Sequence, residues 1–233
     1  MTPSAVLLLV ESQADPRAVV NWAKTNPDSA LRSVGVGLTQ LRKLAKKVGR
    51  DAALAADLWR SDIYELRVIA LLIDDPKTLT VEQAERQVDQ LKDGQLAHVF
   101  ASCDATLAKS PLAVGLAETW TRHADPMRRD CGHGLVYELS KSKKRSAPDD
   151  AWFLERLAHI DATWRDEGVD VRMGMATALM GMGKRSAELW PEALRIARDI
   201  GPIDFDPTGG CDPMDVAKHI DNPRVRAKLG VGD

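Results

Sequence analysis

The sequence is poor in features that would each indicate a particular class of protein. Its 233 residues include three cysteines without Cys-x-x-Cys spacing, which excludes a disulfide framework and predicts reduced thiols. The apolar run at residues 5–10 is too short to span a membrane, and Glu11 follows it directly, so neither a membrane span nor a signal peptide is expected. These absences predict a cytoplasmic protein with no membrane partner.

No charge of one sign dominates the chain. The 32 basic and 34 acidic residues give a net charge of −2, which argues against a protein coated in positive charge. Basic residues nevertheless cluster, whereas acidic residues gather elsewhere. A basic stripe on one face is typical of nucleic-acid binders, and the alternative is a set of solvated helix faces. The basic clusters are Arg42, Lys43, Lys46, Lys47 and Arg50, then Arg128 and Arg129, then Lys141 and Lys143 to Arg145, then Lys184 and Arg185, then Arg195 and Arg198.

Common enzyme signatures are also absent. The sequence has no glycine-rich phosphate loop, no Gly-x-Ser-x-Gly elbow and no His-Glu-x-x-His motif. Cys131 and His133 suggest a thiol–imidazole pair, but residues two positions apart on a helix point in different directions. The histidines and cysteines lack metal-ligand spacing, so we expect neither a metal site nor a cofactor.

Helical patterns dominate what is present. Residues 38–48 place Leu41, Leu44 and Ala45 on one face, and Gly49 stands at the expected stop. Thr80 begins a capping box that predicts a helix to about residue 92. Further helices are predicted from residue 146, over residues 186–200, and after an N-cap at Asp212. No convincing strand alternates between these segments, so the predicted class is all-α.

Tryptophan and arginine recur at a fixed spacing. Aromatic residues make up 5% of the chain, yet six of them are tryptophan. Trp59, Trp120 and Trp164 each stand eight positions before an arginine that opens an apolar segment. This pattern predicts that each tryptophan ends one helix, packs between repeats and is followed by a short turn. The arginines that would begin the next helices are Arg67, Arg128 and Arg172.

The spacing of these units indicates a helical repeat protein. Trp120 and Trp164 lie 44 positions apart, within the period of roughly 40–47 residues of HEAT-type helix pairs. Stacked pairs form a solenoid with a concave binding surface, and we expect one domain over residues 1–233 with residues 201–233 as a C-terminal cap. Because an arginine at a helix start opposes the helix dipole, each needs either a carboxylate in the turn or an anionic ligand. The available carboxylates are Asp62, Asp125 and Asp170.

Several segments in order resemble the AlkD-like family, bacterial alkylpurine DNA glycosylases built from HEAT-like repeats. They are residues 36–46 (VGLTQLRKLAK), 58–67 (LWRSDIYELR), 102–104 (SCD), 127–129 (MRR) and 180–185 (MGMGKR). The resemblance implies a basic concave face that binds the backbone of duplex DNA. It also implies an aspartate that stabilises the positive charge on the sugar as the glycosidic bond of an alkylated purine breaks.

The residues that would carry this chemistry match the family poorly. The family pattern Trp-Asp-x-Val-Asp has its functional tryptophan at Cys103 and its functional carboxylate at Leu107 of this chain. Asp104 matches the first aspartate of that pattern and is the catalytic candidate. The second lesion-facing tryptophan aligns with Thr177, and a DNA-facing arginine aligns with Arg129.

The sequence therefore predicts a monomeric DNA-binding protein of alkylation repair, with three hypotheses left open. It is a glycosylase that releases N3- or N7-alkylated purines, a non-catalytic homologue that binds DNA or its lesions, or a protein-interaction scaffold with unknown partners. The predicted phosphate contacts are Arg42, Lys43, Arg128, Arg129, Lys184 and Arg185.

Overall fold

A computed structural model describes residues 1–102, 105–205 and 212–232. Within these ranges the regular elements are all helical, which confirms the predicted class. The chain divides into two compact units, Met1–Leu112 and Ala113–Asp233. Whether residues 1–233 form one continuous domain stays a prediction. None of the described helices combines the length and apolar character that a membrane crossing requires.

The first unit is organised around a helix that is apolar on nearly all sides. Helix α5 packs against α3, α4 and α7, and Val68 and Ile69 in its middle are fully buried. An all-round apolar helix of this kind is stable only inside a core. The unit contains α1 (Pro3–Glu11), α2 (Pro16–Thr25), α3 (Leu38–Val48), α4 (Ala52–Trp59), α5 (Tyr64–Ile73), α6 (Val81–Val88), α7 (Leu96–Ala101) and a 3-10 turn (Leu107–Lys109).

The second unit is built on the close approach of two long helices, α9 and α11. A Cβ atom at Gly181 of α11 would overlap Ser140 Oγ and lie 2.8 Å from Tyr137 Cδ2, so only glycine permits this approach. Met175 and Met182 of α11 are fully buried in the core of this unit. The unit contains α8 (Ala113–Trp120), α9 (Pro126–Lys141), α10 (Asp150–Thr163), a 3-10 turn (Trp164–Asp166), α11 (Val169–Met182), α12 (Trp190–Ile200), α13 (Val216–Ile220) and α14 (Pro223–Leu229).

The predicted tryptophan pattern is confirmed at all three places. Trp59 and Trp120 end α4 and α8, and Trp164 directly follows α10. Trp120 is 1% exposed, whereas Trp59 and Trp164 are half-buried, and packing between repeats stays a prediction. The three arginines fall within the first turn of α5, α9 and α11 as expected.

The predicted carboxylate partner of these arginines is found for one of them. Arg128 lies 3.5 Å from Asp125 Oδ1. Arg67 instead donates from Nε to the carbonyl of Ser61 at 2.8 Å and lies over the Trp59 ring. The Nε of Arg172 is buried and has no hydrogen-bond partner.

Helix boundaries differ from the sequence predictions at several caps. Helix α3 spans residues 38–48 as predicted, and Gly49 adopts φ 80°. The helix after Thr80 ends at Val88 rather than near residue 92. Residues 186–189 form a turn before α12, and Asp149 caps α10 by accepting from the Trp152 amide.

The predicted N-cap at Asp212 is wrong. Ile203 and Met214 exchange two backbone hydrogen bonds of 2.9 Å and form an isolated antiparallel bridge, and Asp212 does not begin a helix. The cap is Asp215, whose side chain accepts from the Lys218 amide at the start of α13. Asp215, three positions after Asp212, is therefore the residue at which the helix begins.

A buried carboxylate joins the first turn of α5 to the loop before α3. Glu65 is fully buried and accepts hydrogen bonds from Ser33 Oγ at 2.5 Å and from the amides of Val34, Gly35 and Val36 at 2.9–3.2 Å. Several charge-assisted bonds from one loop compensate the burial of this charge. Glu65 thereby fixes the loop that leads into α3.

We expect Glu65→Gln to destabilise the protein, because an amide replaces one acceptor oxygen with donors that face other donors. The expected loss is about 2–3 kcal/mol in the free energy of unfolding, measured by urea denaturation. Glu11→Gln, at an exposed position of the same unit, serves as the control. Equal stability of the two variants would contradict this role for Glu65.

Candidate nucleic-acid interface

The solvent face of α3 carries a basic recess, here called the α3 basic pocket. It encloses about 320 Å³ in the first unit, and none of the described residues that line it is acidic. Helix α3 turns Leu41, Leu44 and Ala45 into the core, and its charged residues therefore face outward. The lining residues are Arg42, Ala45, Lys46, Gly49, Arg50, Leu72 and Lys109.

Most of the α3 cations lack an anionic partner within the protein. Lys43 and Lys46 are exposed, and in the described part of the chain no carboxylate forms an ion pair with either. Arg42 is half-buried, with an Nε atom that has no hydrogen-bond partner. Arg50 donates to the carbonyl of Asp74 at 2.9 Å. Of the two predicted contacts, Arg42 lines the α3 basic pocket together with Lys46, and Lys43 is exposed on the same helix outside that lining.

A second basic recess, here called the lysine pocket, lies in the second unit. It encloses about 430 Å³ beside the ends of α9 and α11. Lys184 lines it together with cations from the loop after α9 and from α14. Its lining residues are Tyr137, Ser140, Lys141, Ser142, Lys143, Asp150, Gly181, Lys184, Arg185, Ser186 and Lys228.

Arg185 lines the lysine pocket but is bound within the protein. Its Nε lies 2.8 Å from Asp150 Oδ1, and its guanidinium lies over the Phe153 ring. Its other nitrogens donate to the carbonyls of Ser140, Ser142 and Pro148 at 2.9–3.1 Å. The guanidinium therefore shapes the wall of the pocket with four of its five N–H groups, and its role as a phosphate contact stays a prediction.

Arg129 is likewise bound within the protein. It donates from Nη2 to Glu167 Oε2 at 2.7 Å and to the carbonyls of His123 and Ala124, and its Nε lies 2.7 Å from Glu167 Oε1 in an ion pair. Arg128 is 14% exposed and pairs with Asp125. The structure thus separates the six predicted DNA contacts into three arginines with internal partners and the group Arg42, Lys43 and Lys184.

The positions that align with the family's catalytic residues carry no suitable groups where the structure describes them. Leu107 is 3% exposed and belongs to the core. Thr177 donates from Oγ1 to the carbonyl of Met173 within its own helix. The catalytic candidate Asp104 and the neighbouring Cys103 lie outside the described residues.

Cys131 and His133 do not form a nucleophilic pair. Both are buried in α9, and burial raises the pKa of the Cys131 thiol. Burial also lowers the pKa of His133 to about 3, so its imidazole is neutral. A protonated thiol beside a neutral, buried imidazole is not an activated nucleophile.

One perturbed carboxyl group was missed by the sequence analysis. Asp130 of α9 lies against α11, where a Cβ atom at Gly174 would overlap its Oδ1. Burial, followed by the charge of Asp170, raises the pKa of Asp130 to about 7. The glycine four positions after Asp170 is the sequence signal of this close approach, but only packing shows which side chain it accommodates.

The fold belongs to the HEAT-like helical repeat class. A solved structure matches 99% of this chain and 97% of its own with a TM-score of 0.81 at 19% sequence identity. That structure is of "a new family of proteins related to the HEAT-like repeat DNA glycosylases with affinity for branched DNA structures".

Sequence comparison identifies the family to which the chain belongs. The family model described as DNA alkylation repair enzyme matches residues 9–199, and the chain belongs to this family. The resemblance inferred from the sequence is therefore confirmed. No curated protein matches the sequence significantly.

The pKa of Asp130 predicts a pH-dependent stability. An unfolded aspartate ionises near pH 4, whereas the folded carboxyl ionises near pH 7, so the folded state holds the extra proton between these values. Wild-type stability should fall as pH rises from 4 to 7, by up to roughly 4 kcal/mol, and then level off. Asp130→Asn should therefore be more stable than wild type at pH 8.

The difference between wild type and Asp130→Asn should shrink toward pH 5, as measured by urea unfolding at each pH. Other titrating groups are common to both proteins and cancel in this difference. Asp166→Asn, at an exposed position, is the control and should show no such trend. A constant difference across this range would contradict the raised pKa.

Proposed function

We propose that this protein binds duplex DNA as a monomer, in alkylation repair, through the phosphate backbone. The observation that carries the proposal is the set of cations on the solvent side of α3, for which the described residues provide no carboxylate in an ion pair. Lysine and arginine groups in this state gain free energy when they replace the counterions of a polyanion. The net charge of −2 does not oppose this, because binding depends on the local field of the surface.

Membership of the alkylation repair family supports DNA as the polyanion. The solved relative is described as having affinity for branched DNA, and a branched junction is therefore the natural alternative to a plain duplex. Backbone contacts of this kind carry little sequence information, so we propose that DNA shape rather than base sequence determines affinity.

The described residues favour binding without base release. Leu107 and Thr177 replace the groups that the family resemblance assigns to chemistry, and neither can stabilise a developing positive charge. Release of alkylated purines is the second candidate function, supported by the family description as a repair enzyme. Asp104 is the group that would have to carry it.

The binding proposal is tested by neutralising the exposed cations of α3. Lys43→Gln/Lys46→Gln should weaken duplex binding and reduce the slope of log K against log salt by about 1.8, since each lost phosphate contact removes about 0.9. Fluorescence anisotropy over a salt series measures both quantities, on a duplex and on a four-way junction.

The matched control for this experiment is Lys24→Gln/Lys77→Gln. It removes the same charge from two exposed lysines elsewhere in the first unit. An equal loss in both double variants would show a diffuse charge effect instead of an α3 interface. If the wild type bound neither the duplex nor the junction, the proposal would be overturned, and the protein-interaction scaffold would be the remaining hypothesis.

Base excision is tested with methylated duplex DNA and Asp104→Asn. We expect wild type to bind this DNA without releasing 7-methylguanine or 3-methyladenine above background, as measured by chromatography of the free bases. Release that is lost in Asp104→Asn with little loss of binding would overturn this expectation and establish the glycosylase.

A further inference from the structure

The lysine pocket carries more positive charge than the nearby carboxylates and helix ends neutralise. Asp150 is bonded to Arg185, and Glu138 lies 2.6 Å from Lys141 Nζ. The carbonyl ends of α9 and α11 each add roughly half a negative charge, so an excess of about two positive charges remains. The cations that line the pocket are Lys141, Lys143, Lys184, Arg185 and Lys228.

Three of these lysines have no carboxylate partner. In the part of the chain that the structure describes, no ion pair involves Lys143, Lys184 or Lys228. Lys228 Nζ donates to the carbonyl of Lys184 at 2.7 Å, which uses one of its three donors. Burial, followed by the charge of Lys228, lowers the pKa of Lys184. An anion between these groups would relieve that repulsion.

The C-terminal segment completes the pocket. Lys228 lies on α14, beyond the residues 9–199 that match the family. This segment is fixed on the rest of the second unit: Ile220 is fully buried against Gly183, and Asp221 pairs with Arg198 of α12 at 2.7 Å. The packing of this segment therefore holds Lys228 in place beside Lys184.

We propose that the lysine pocket binds a phosphomonoester, the terminal phosphate of a DNA strand, through Lys143, Lys184 and Lys228. This proposal rests on the proposed function and identifies one chemical feature of the DNA that the protein recognises. An excess of about two positive charges matches a phosphomonoester, which carries about −1.5 to −2 at pH 7.

The shape of the pocket favours a strand end over an internal phosphate. An internal phosphodiester carries one charge and is covalently continued on both sides along the duplex surface. The recess of about 430 Å³ has room for a phosphate and its sugar, and it is lined by residues from four segments of the chain. A terminal nucleotide can enter such a recess, because its phosphate is bonded on one side only.

The test compares short single-stranded DNA with a 5′-phosphate, a 3′-phosphate or hydroxyl ends, using fluorescence anisotropy on the full chain. Wild type should bind one phosphorylated end about 10-fold more tightly than the hydroxyl form, as expected for a charge-assisted contact. Lys228→Gln and Lys143→Gln should each lose this preference. Lys218→Gln, on exposed α13, removes the same charge outside the pocket and should retain it.

Inorganic phosphate serves as a second probe, followed by ³¹P NMR line broadening with and without these substitutions. If Lys228→Gln abolishes the broadening and Lys218→Gln preserves it, the result supports the lysine pocket as a phosphate site. If duplex DNA does not bind in the same series, the ligand would be a free phosphomonoester. Duplex binding with no preference for phosphorylated ends and no phosphate broadening would overturn the pocket while the proposed function stands.

Discussion

The carbonyl groups at the end of α9 need hydrogen-bond donors, and the structure around the lysine pocket of the second unit depends on how Arg185 supplies them. Arg185 donates to the carbonyls of Ser140, Ser142 and Pro148 and pairs with Asp150. These bonds hold the end of α9, the following loop and the start of α10 around one guanidinium. The lysine pocket exists because this group fixes its wall and leaves the neighbouring lysines to face solvent.

Three of the arginines in the basic clusters form bonds within the fold, whereas the lysines beside them form few. Arg128, Arg129 and Arg185 bond carboxylates and carbonyls inside the fold, because the planar guanidinium satisfies several acceptors at once. The lysines beside them form few internal bonds and remain available to an external anion. The sequence predicted basic clusters as DNA contacts. In the structure Arg128, Arg129 and Arg185 have partners within the fold, and we propose that Arg42 and the lysines of these clusters bind DNA.

The family scaffold is retained without the aligned catalytic groups in the described residues. Leu107 belongs to the core, and Thr177 bonds its own helix. Only Asp104 remains as a candidate, and its sequence position is all that supports it. The chain thus combines the helical frame of the alkylation repair family with surfaces that we propose bind phosphate.

The sequence alone determined the helical class, the limits of α3 and the tryptophan–arginine repeat, since these depend on local periodicity and on glycine stops. It also indicated the family through the order of short segments. It could not determine that Glu65 fixes a loop, that Asp130 lies against Gly174, or that Lys228 joins Lys184. Those features depend on contacts between residues far apart in the chain, because burial and charge proximity are properties of packing. The tertiary structure therefore showed which arginines bond within the fold, and we propose that the cations of the α3 basic pocket and the lysine pocket bind phosphate.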